Sequence, residues 1–329
     1  MSGLSLRHAW SAVALCFLVA CGTLQGQMAP ITPSGERAAT REPTDLLYAA
    51  DGDKNAVFVF SYRGARHLAT LSGFYGSPLA VCSDRAGNVF VAVFASGGRS
   101  QIVEYAHGGT TPIQTLAAPG EPTGCSVDPS TGNLAAAIYT YSSSPGSVAV
   151  YPKATGTPTI YTDADVPYVN DCAYDSSGNL FVSGANNNGF ALGELPAGSG
   201  TLQTVEVKKK IDGSFYQHIG WDGHHLAIGD FSGYSNKFVL YRMRIEGAAA
   251  RVVGTTHFSL SHGNFSGDSA FWIRGNQIVF VTQNYQRHVE RAAQVSYWRY
   301  PEGGARIAWT RKIGSPYMSG VTVSVASQP

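Results

Sequence analysis

Asp84-Arg85-Ala86-Gly87-Asn88-Val89-Phe90-Val91-Ala92-Val93-Phe94 joins an Asp-x-x-Gly-Asn turn to a run of apolar and β-branched residues. A glycine turn followed by such a run is the mark of a strand entered from a tight hairpin. The same pattern returns at Asp175-Ser176-Ser177-Gly178-Asn179-Leu180 before FVSG, and at Asp128-Pro129-Ser130-Thr131-Gly132-Asn133 before LAAAIY with one extra residue. Weaker copies stand at Gly223-His224 and Gly275-Asn276. The five glycines are 45, 46, 45 and 52 residues apart. Self-similarity at such a period is sought first, because it fixes the architecture.

Each copy has the same layout. A short apolar strand precedes the turn (LAVCSD, GCSVD, DCAYD, HIGWD or SAFWI) and a second follows it. A third comes next (QIVEYA, SVAVYP, FALGEL, KFVLYR or QVSYWRY), then a variable fourth. Four strands per period of this length is the arithmetic of a β-propeller blade, and no segment shows sustained helical periodicity. An incomplete copy, LLYAADGDKNAVFVFSYRG, opens near Asp45 without a first strand. Pro316-Tyr317-Met318-Ser319-Gly320-Val321-Thr322-Val323 near the other end resembles the missing one. The expectation is therefore an all-β, six-bladed β-propeller over 44–329. It has four antiparallel strands per blade, and the C-terminal strand closes the first blade.

Outward from the repeat, residues 1–21 read as an address. Arg7 and His8 precede a run of about twelve mostly apolar residues, too short to span a bilayer, which takes roughly 20. The run ends in Leu18-Val19-Ala20-Cys21, which resembles the bacterial lipoprotein box. That resemblance implies lipidation of Cys21 and an extracytoplasmic protein anchored in the cell envelope. The outer membrane is favoured because Gly22 follows. Residues 22–43 are rich in Gly, Pro, Thr and Ala and read as a flexible tether. With 23 Lys+Arg against 22 Asp+Glu, the net charge of +1 excludes the broad basic footprint of nucleic-acid binding. Membrane contact is expected only through the lipid.

The turns Asp84-Arg85-Ala86-Gly87-Asn88-Val89 and Asp175-Ser176-Ser177-Gly178-Asn179-Leu180 resemble those of NHL-repeat and gluconolactonase-like six-bladed propellers. The likeness covers roughly residues 45–326. It is specific for fold and weak for activity. The recurring aspartates Asp84, Asp128, Asp175 and Asp222 are expected to cap turns, and Asp51-Gly52-Asp53-Lys54-Asn55 lacks the terminal glutamate of a calcium loop. Lys208-Lys209-Lys210 reads as a solvated edge, Tyr297-Trp298-Arg299-Tyr300 as packing between blades, and His224-His225 as a turn.

Residues at the starts of the inner strands should gather at one mouth of the central channel. Glu121, Asn170, Asp171, Gln217, His218, Asp268 and Ser319 hold those positions, with Tyr168 and Tyr317 nearby. They are the candidate ligand-binding set, and a wet channel mouth is the plain alternative. Family enzymes hold a divalent metal through Glu, Asn and Asp side chains. The resemblance therefore offers Glu121, Asn170, Asp171 and Asp268 as ligands for Ca²⁺ or Mg²⁺, and His218 with Asp171 or Asp268 reads as an acid–base pair. No cofactor is firmly implied.

The leading expectation is a binding or scaffold module engaging a ligand or an envelope protein. A metal-dependent lactonase-like hydrolase or lyase is the alternative. Cys82, Cys125 and Cys172 all lie in inner strands, where small buried side chains, a Cys125–Cys172 disulfide and a metal thiolate site are all open.

Overall fold

The computed structural model describes residues 44–63, 66–140, 145–209, 211, 217–230, 237–259, 270–286, 289–309 and 318–326. The lipobox, the tether, Asp268, Lys210 and Tyr317 lie outside them. Among the described residues no helix is long and apolar enough to cross a membrane.

The repeat glycines do what the turns require. Gly87, Gly132, Gly178, Gly223 and Gly275 all have positive φ, between 56° and 100°, a region costly for residues with a Cβ. The turn aspartates lock the reversal. Asp84 accepts from Asn88 N at 2.7 Å, and Asp175 accepts from Ser177 N at 2.8 Å and Asn179 N at 2.9 Å. Asp128 and Asp222 accept in the same way from Ser130 N and from His224 N and His225 N. Asp51 likewise takes Lys54 N.

The turns organise antiparallel strands. β1 (Leu46–Asp51), β2 (Ala56–Ser61) and β3 (His67–Leu71) open the chain. β4 (Ser77–Ser83), β5 (Val89–Phe94), β6 (Gln101–Tyr105) and β7 (Pro112–Ala117) form the next sheet. β8 (Glu121–Val127), β9 (Leu134–Tyr139), β10 (Ser147–Tyr151) and β11 (Thr159–Tyr161) form another. Then come β12 (Tyr168–Tyr174), β13 (Leu180–Asn186), β14 (Gly189–Leu195) and β15 (Gln203–Val207). They are followed by β16 (Ile219–Trp221), β17 (Leu226–Asp230), β18 (Lys237–Glu246) and β19 (Ala249–Ser259). β20 (Phe271–Arg274), β21 (Gln277–Gln286), β22 (Val289–Arg299) and β24 (Ala308–Trp309) make the last sheet, with the two-residue β23 (Gly304–Ala305) against β19.

The final strand, β25 (Met318–Ser324), pairs antiparallel with β1 from Leu46↔Ser324 to Ala50↔Gly320. Strands from the two chain ends thus share one sheet, in the order β25-β1-β2-β3.

The arrangement is a β-propeller, with one correction to its expected form. Four sheets are separate four-stranded blades. The strands expected to make a fourth and a fifth separate blade instead belong to one sheet, ordered β12-β13-β14-β15-β19-β18-β17-β16, with β23 attached as its ninth strand. The joint is parallel pairing of the outer strands, Glu206↔Ala249 and Val207↔Ala250. It is extended by Glu206 N donating to Ala248 O (2.8 Å) and Lys208 N to Ala250 O (3.0 Å). The lysine run expected to guard a free edge therefore starts on a paired one. Lys208 pairs with Glu206, and Lys209 lies over the Tyr241 ring at 4.2 Å.

Packing follows the alternation of the strands. Six apolar clusters each combine residues of two neighbouring four-strand units. The aromatic stretch expected between blades is there: Trp298 is fully buried, with ring centroids 5.3 Å from Phe280 and 5.8 Å from Phe258. Tyr300 reaches across to donate its hydroxyl to Asp222 Oδ2 at 2.6 Å. Burial acts to raise the Asp222 carboxyl. The Tyr300 hydrogen bond and those of the two turn amides outweigh it and hold the group below the ordinary carboxylate range.

Candidate functional site: the central channel

The first strands of the successive units touch in the cyclic order β25, β4, β8, β12, β16, β20 and back to β25. They enclose a channel of about 210 Å³. Strands can approach an axis this closely only if their facing side chains are small. A Cβ on Gly320 would lie 2.9 Å from Ala80 Cα, and one on Gly220 would lie 3.0 Å from the Phe271 ring.

A β-bulge recurs at the same place in four of these strands. The register skips one residue at Leu79 in β4, Thr123 in β8, Asn170 in β12 and Ser319 in β25. A bulge breaks the alternation and re-aims the side chain that follows. The residues that follow are Ala80, Gly124, Asp171 and Gly320. Three are small; the fourth is a carboxylate.

Asp171 is buried, at 8% exposure, and its carboxylate is held by three groups. Oδ1 accepts from Cys172 N at 2.8 Å. Oδ2 accepts from Ile219 N at 3.1 Å and lies 3.0 Å from His218 Nδ1. The space it occupies belongs to Gly124 of the neighbouring strand, where a Cβ would fall 2.0 Å from Asp171 Oδ1. Gly124 is thus a site residue that sequence reasoning missed. Its only signal was a glycine inside a strand, which marks close approach of another group.

His218, just before β16, lines the channel and is paired to Asp171 through Nδ1. No described residue bonds its Nε2. With Nδ1 directed at the carboxylate, Nε2 is the ring nitrogen left for a ligand in the channel. The histidine–carboxylate pair expected from the sequence is therefore present, with Asp171 as the partner.

The rest of the expected ring does not join it. Asn170 is buried and donates Nδ2 to Gln217 O at 3.1 Å, so its amide is spent bridging adjacent inner strands. Gln217 itself is 2% exposed and does not line the channel, while its carbonyl also accepts from Ser183 Oγ at 2.9 Å. Glu121 is the first residue of β8, opposite Tyr139, and is not among the residues lining the channel. Ser319 does line it, and its hydroxyl donates to Pro78 O. Among the described residues no three His, Cys, Asp or Glu side chains gather as a metal site. Of the proposed oxygen set, Asp171 lines the channel, Glu121 does not, Asn170 is engaged with Gln217, and Asp268 lies outside the described residues.

Of the readings left open for the cysteines, a disulfide forms, with Cys82 rather than Cys172 as the partner of Cys125. Cys82 and Cys125, on adjacent inner strands with Cα atoms 5.7 Å apart, form a disulfide. Cys172 is a buried free thiol. Burial, and then the Asp171 charge, push that thiol far above its usual range, so it is not a nucleophile. Cys125 cannot bridge to Cys172 because its sulfur is taken by Cys82 in the preceding sheet.

Fold and channel together define a β-propeller-type protein with a histidine–aspartate pair in its axis. Similarity to solved structures is in keeping with the fold. A Nidogen/Laminin complex chain superposes with a TM-score of 0.61 at 11% identity, covering 87% of this chain and 100% of that one. A functionally unknown protein from Desulfotomaculum acetoxidans gives 0.55 at 10% identity, covering 86% and 100%. Kuenenia stuttgartiensis hydrazine synthase gives 0.50 at 15% identity, covering 60% of this chain and 61% of that chain, so the match spans about three fifths of its length. At these identities the likeness carries the fold alone. No family profile matches the sequence, and no curated protein matches it.

Proposed function

We propose that this chain is a binding or scaffold module of the bacterial cell envelope, anchored by a lipid on Cys21, which takes a small polar ligand at the channel mouth. The observation that carries the reading is the Asp171–His218 pair, which presents a bare Nε2 to a cavity of about 210 Å³. An oriented ring nitrogen in a small polar channel suits a hydroxyl-bearing ligand, which can donate to it or accept from it. The Cys82–Cys125 disulfide supports an oxidising compartment, as an extracytoplasmic lipoprotein requires. We read the ring as six-bladed, the nine-stranded sheet being two blades joined along their outer edges, because six inner strands supply the channel wall.

A second reading has one observation behind it. A carboxylate-oriented histidine is also the arrangement of a general acid–base residue, so a lactonase-like hydrolase or lyase using His218 is the rival. The NHL and gluconolactonase likeness belongs to that reading.

One experiment separates the two. The purified chain is screened by thermal shift against polyols, sugars, sugar acids and their lactones, and every stabilising lactone is assayed for ring opening with and without chelator. A ligand whose shift disappears in His218→Asn and that emerges unchanged supports the module. Turnover lost in the same variant replaces it with the enzyme. No His218-dependent shift or turnover for any compound removes the channel as the site.

A further inference from the structure

Two of the four-strand units carry the same ladder of side chains. In one, Phe90 of β5, Glu104 of β6 and Gln114 of β7 stand directly opposite one another. In the other, Phe181 of β13, Glu194 of β14 and Gln203 of β15 do so. Opposite residues share a face of the sheet. Here it is the face turned to the next unit, since Phe181, Leu192 and Val205 pack there against Ile228 and Met243. The two glutamates therefore hold equivalent places between successive units, each near its own turn aspartate, Asp84 or Asp175.

What covers them differs. Glu104 is buried, and Gln114 Nε2 donates to its Oε2 at 2.5 Å and to Ala154 O of the next unit at 2.7 Å. The turn Pro152–Ala154, which follows the third strand of that unit, thus seals the gap. At the equivalent place the β18–β19 turn reaches past the gap to the edge of β15, where Ala248 O accepts from Glu206 N. Gln203 is left exposed, and Glu194 has no hydrogen bond or ion pair with any described residue. What remains beneath the joint is a groove of about 540 Å³, within the range of roughly 300–1,000 Å³ usual for small-molecule sites. Trp221, the last residue of β16, walls its inner end and separates it from the channel.

No charge among the described residues answers Glu194. Asp175 is consumed by its turn, with Asn179 Nδ2 also bonded to Oδ2 at 2.8 Å. Arg244 alternates with Met243 and Ile245, whose side chains face the shared cluster, so its guanidinium belongs to the opposite, exposed face of β18. Burial, and then the Asp175 charge, push the Glu194 carboxyl up from the ordinary range. A carboxylate partly removed from water without a cation is costly. At Glu104 an N–H donor from the chain offsets that cost; at Glu194 the donor comes from solvent or from a ligand. A cation brings the donor and the countercharge together, and a tryptophan wall attracts it further. We infer that the groove binds an organic ammonium of arylalkylamine size. Its N–H donors take at Glu194 the place that Gln114 Nε2 holds at Glu104, and its apolar body lies against Trp221.

The test uses the full chain with phenethylamine and benzylamine, their N-acetyl derivatives, and phenylalanine, titrated by calorimetry and by tryptophan fluorescence. The expected result is saturable binding of at least one amine below about 1 mM, weakened tenfold or more, about 1.4 kcal/mol, by acetylation. Phenylalanine should bind more weakly than phenethylamine, because its carboxylate meets no cation. Glu194→Gln should erase the difference between free and acetylated amines and should melt no lower than the parent. Gln203→Lys sets a tethered ammonium directly opposite Glu194 and should raise the melting temperature while abolishing amine binding. Trp221→Phe should remove the fluorescence response, and His218→Asn should leave the amine affinities unchanged, which separates this site from the channel. Absence of amine binding below about 10 mM overturns the inference. Equal or tighter binding of the acetylated forms or of phenylalanine, or amine binding indifferent to Glu194→Gln, does the same. So does a lowered melt of Glu194→Gln, which would mean that the carboxylate already has a partner in the chain.

Discussion

Removing the Cys82–Cys125 bridge is the perturbation whose size follows most directly from the structure. The bond closes a loop of 43 residues. In the chain-entropy description, closing a loop of that length takes about 2.1 + 1.5R ln 43, or ~13 cal/mol/K, from the unfolded ensemble, which is about 4 kcal/mol at 25 °C. A domain of this size loses roughly 2 °C of melting temperature per kcal/mol. The Cys82→Ala/Cys125→Ala protein should therefore melt about 8 °C below the parent, with part of that arising from the small cavity between β4 and β8. Calorimetric melts of the parent and the double variant, each with and without reductant, isolate the bond. Reductant should lower only the parent, toward the variant. Peptide mapping without reduction should recover a peptide containing Cys82 linked to one containing Cys125. Cys172 should resist alkylation until denaturant is added, because it is buried and its thiol is held protonated. A parent melt indifferent to reductant, or a mapped Cys125–Cys172 link, would refute the reasoning.

Three further outcomes can be measured. Gly124→Ala drives a methyl into the Asp171 carboxylate; displacing it strands the Cys172 and Ile219 amides, at about 1–3 kcal/mol each, so denaturant melts should show a loss of at least ~2 kcal/mol, while Gly223→Ala, with open space around its Cβ position, should cost only its positive-φ strain of roughly 1 kcal/mol. Tyr300→Phe removes a bond to the ionised Asp222, worth about 1.5–3 kcal/mol near pH 7. Because that carboxyl is held low in the folded state, the stabilisation is present above the unfolded value of about 3.9 and is lost as pH falls through the folded one; urea melts at stepwise lower pH should show the parent and variant converging, and a constant gap would count against the assignment. In the cell, Cys21→Ser should abolish fatty-acid labelling and release the protein from the membrane fraction; unchanged labelling would remove the lipid anchor from the proposal.

The blade repeat was legible because it is written in local chemistry. An aspartate that caps a turn, a glycine at positive φ and an alternating strand are each specified within about ten residues, and they recur. Asp171 and His218, 47 residues apart, were legible as neighbours only through that repeat, since equal positions in successive copies meet at the axis. What the repeat could not show is direction around it. Cys125 and Cys172 stand three residues before their turn aspartates and share a phase. With side chains alternating along a strand, equal phase means both face the same way around the ring. Cys125 faces the preceding sheet and Cys172 its own preceding sheet, beside Ala137. Cys82 is two residues before its aspartate, out of phase, and therefore faces Cys125. The same argument separates Asn170 from Asp171: the bulge, invisible in the sequence, turns the carboxylate toward the axis and leaves the amide holding Gln217.

The joined sheet was hidden for a different reason. Blade-to-blade pairing at an outer edge depends on how far a hairpin reaches, not on its pattern. The trace in the sequence is the spacing of 52 residues from Gly223 to Gly275 against 45 or 46 elsewhere. The added length appears in β18 and β19, of 10 and 11 residues where third and fourth strands elsewhere in the first three sheets have three to six. A hairpin that long carries its turn to the edge of β15, where Ala248 and Ala250 accept the amides of Glu206 and Lys208. The edge that three lysines appeared to guard is thereby paired, and the space beneath it gains an outer wall. Elongation of one hairpin thus turns an ordinary gap between blades into a groove closed at its outer end. If the joint depends on that reach, shortening the β18–β19 hairpin by one residue on each strand should leave the Glu206 and Lys208 amides unprotected in hydrogen exchange, while the Asp171–His218 pair, anchored on β12 and β16, stays intact.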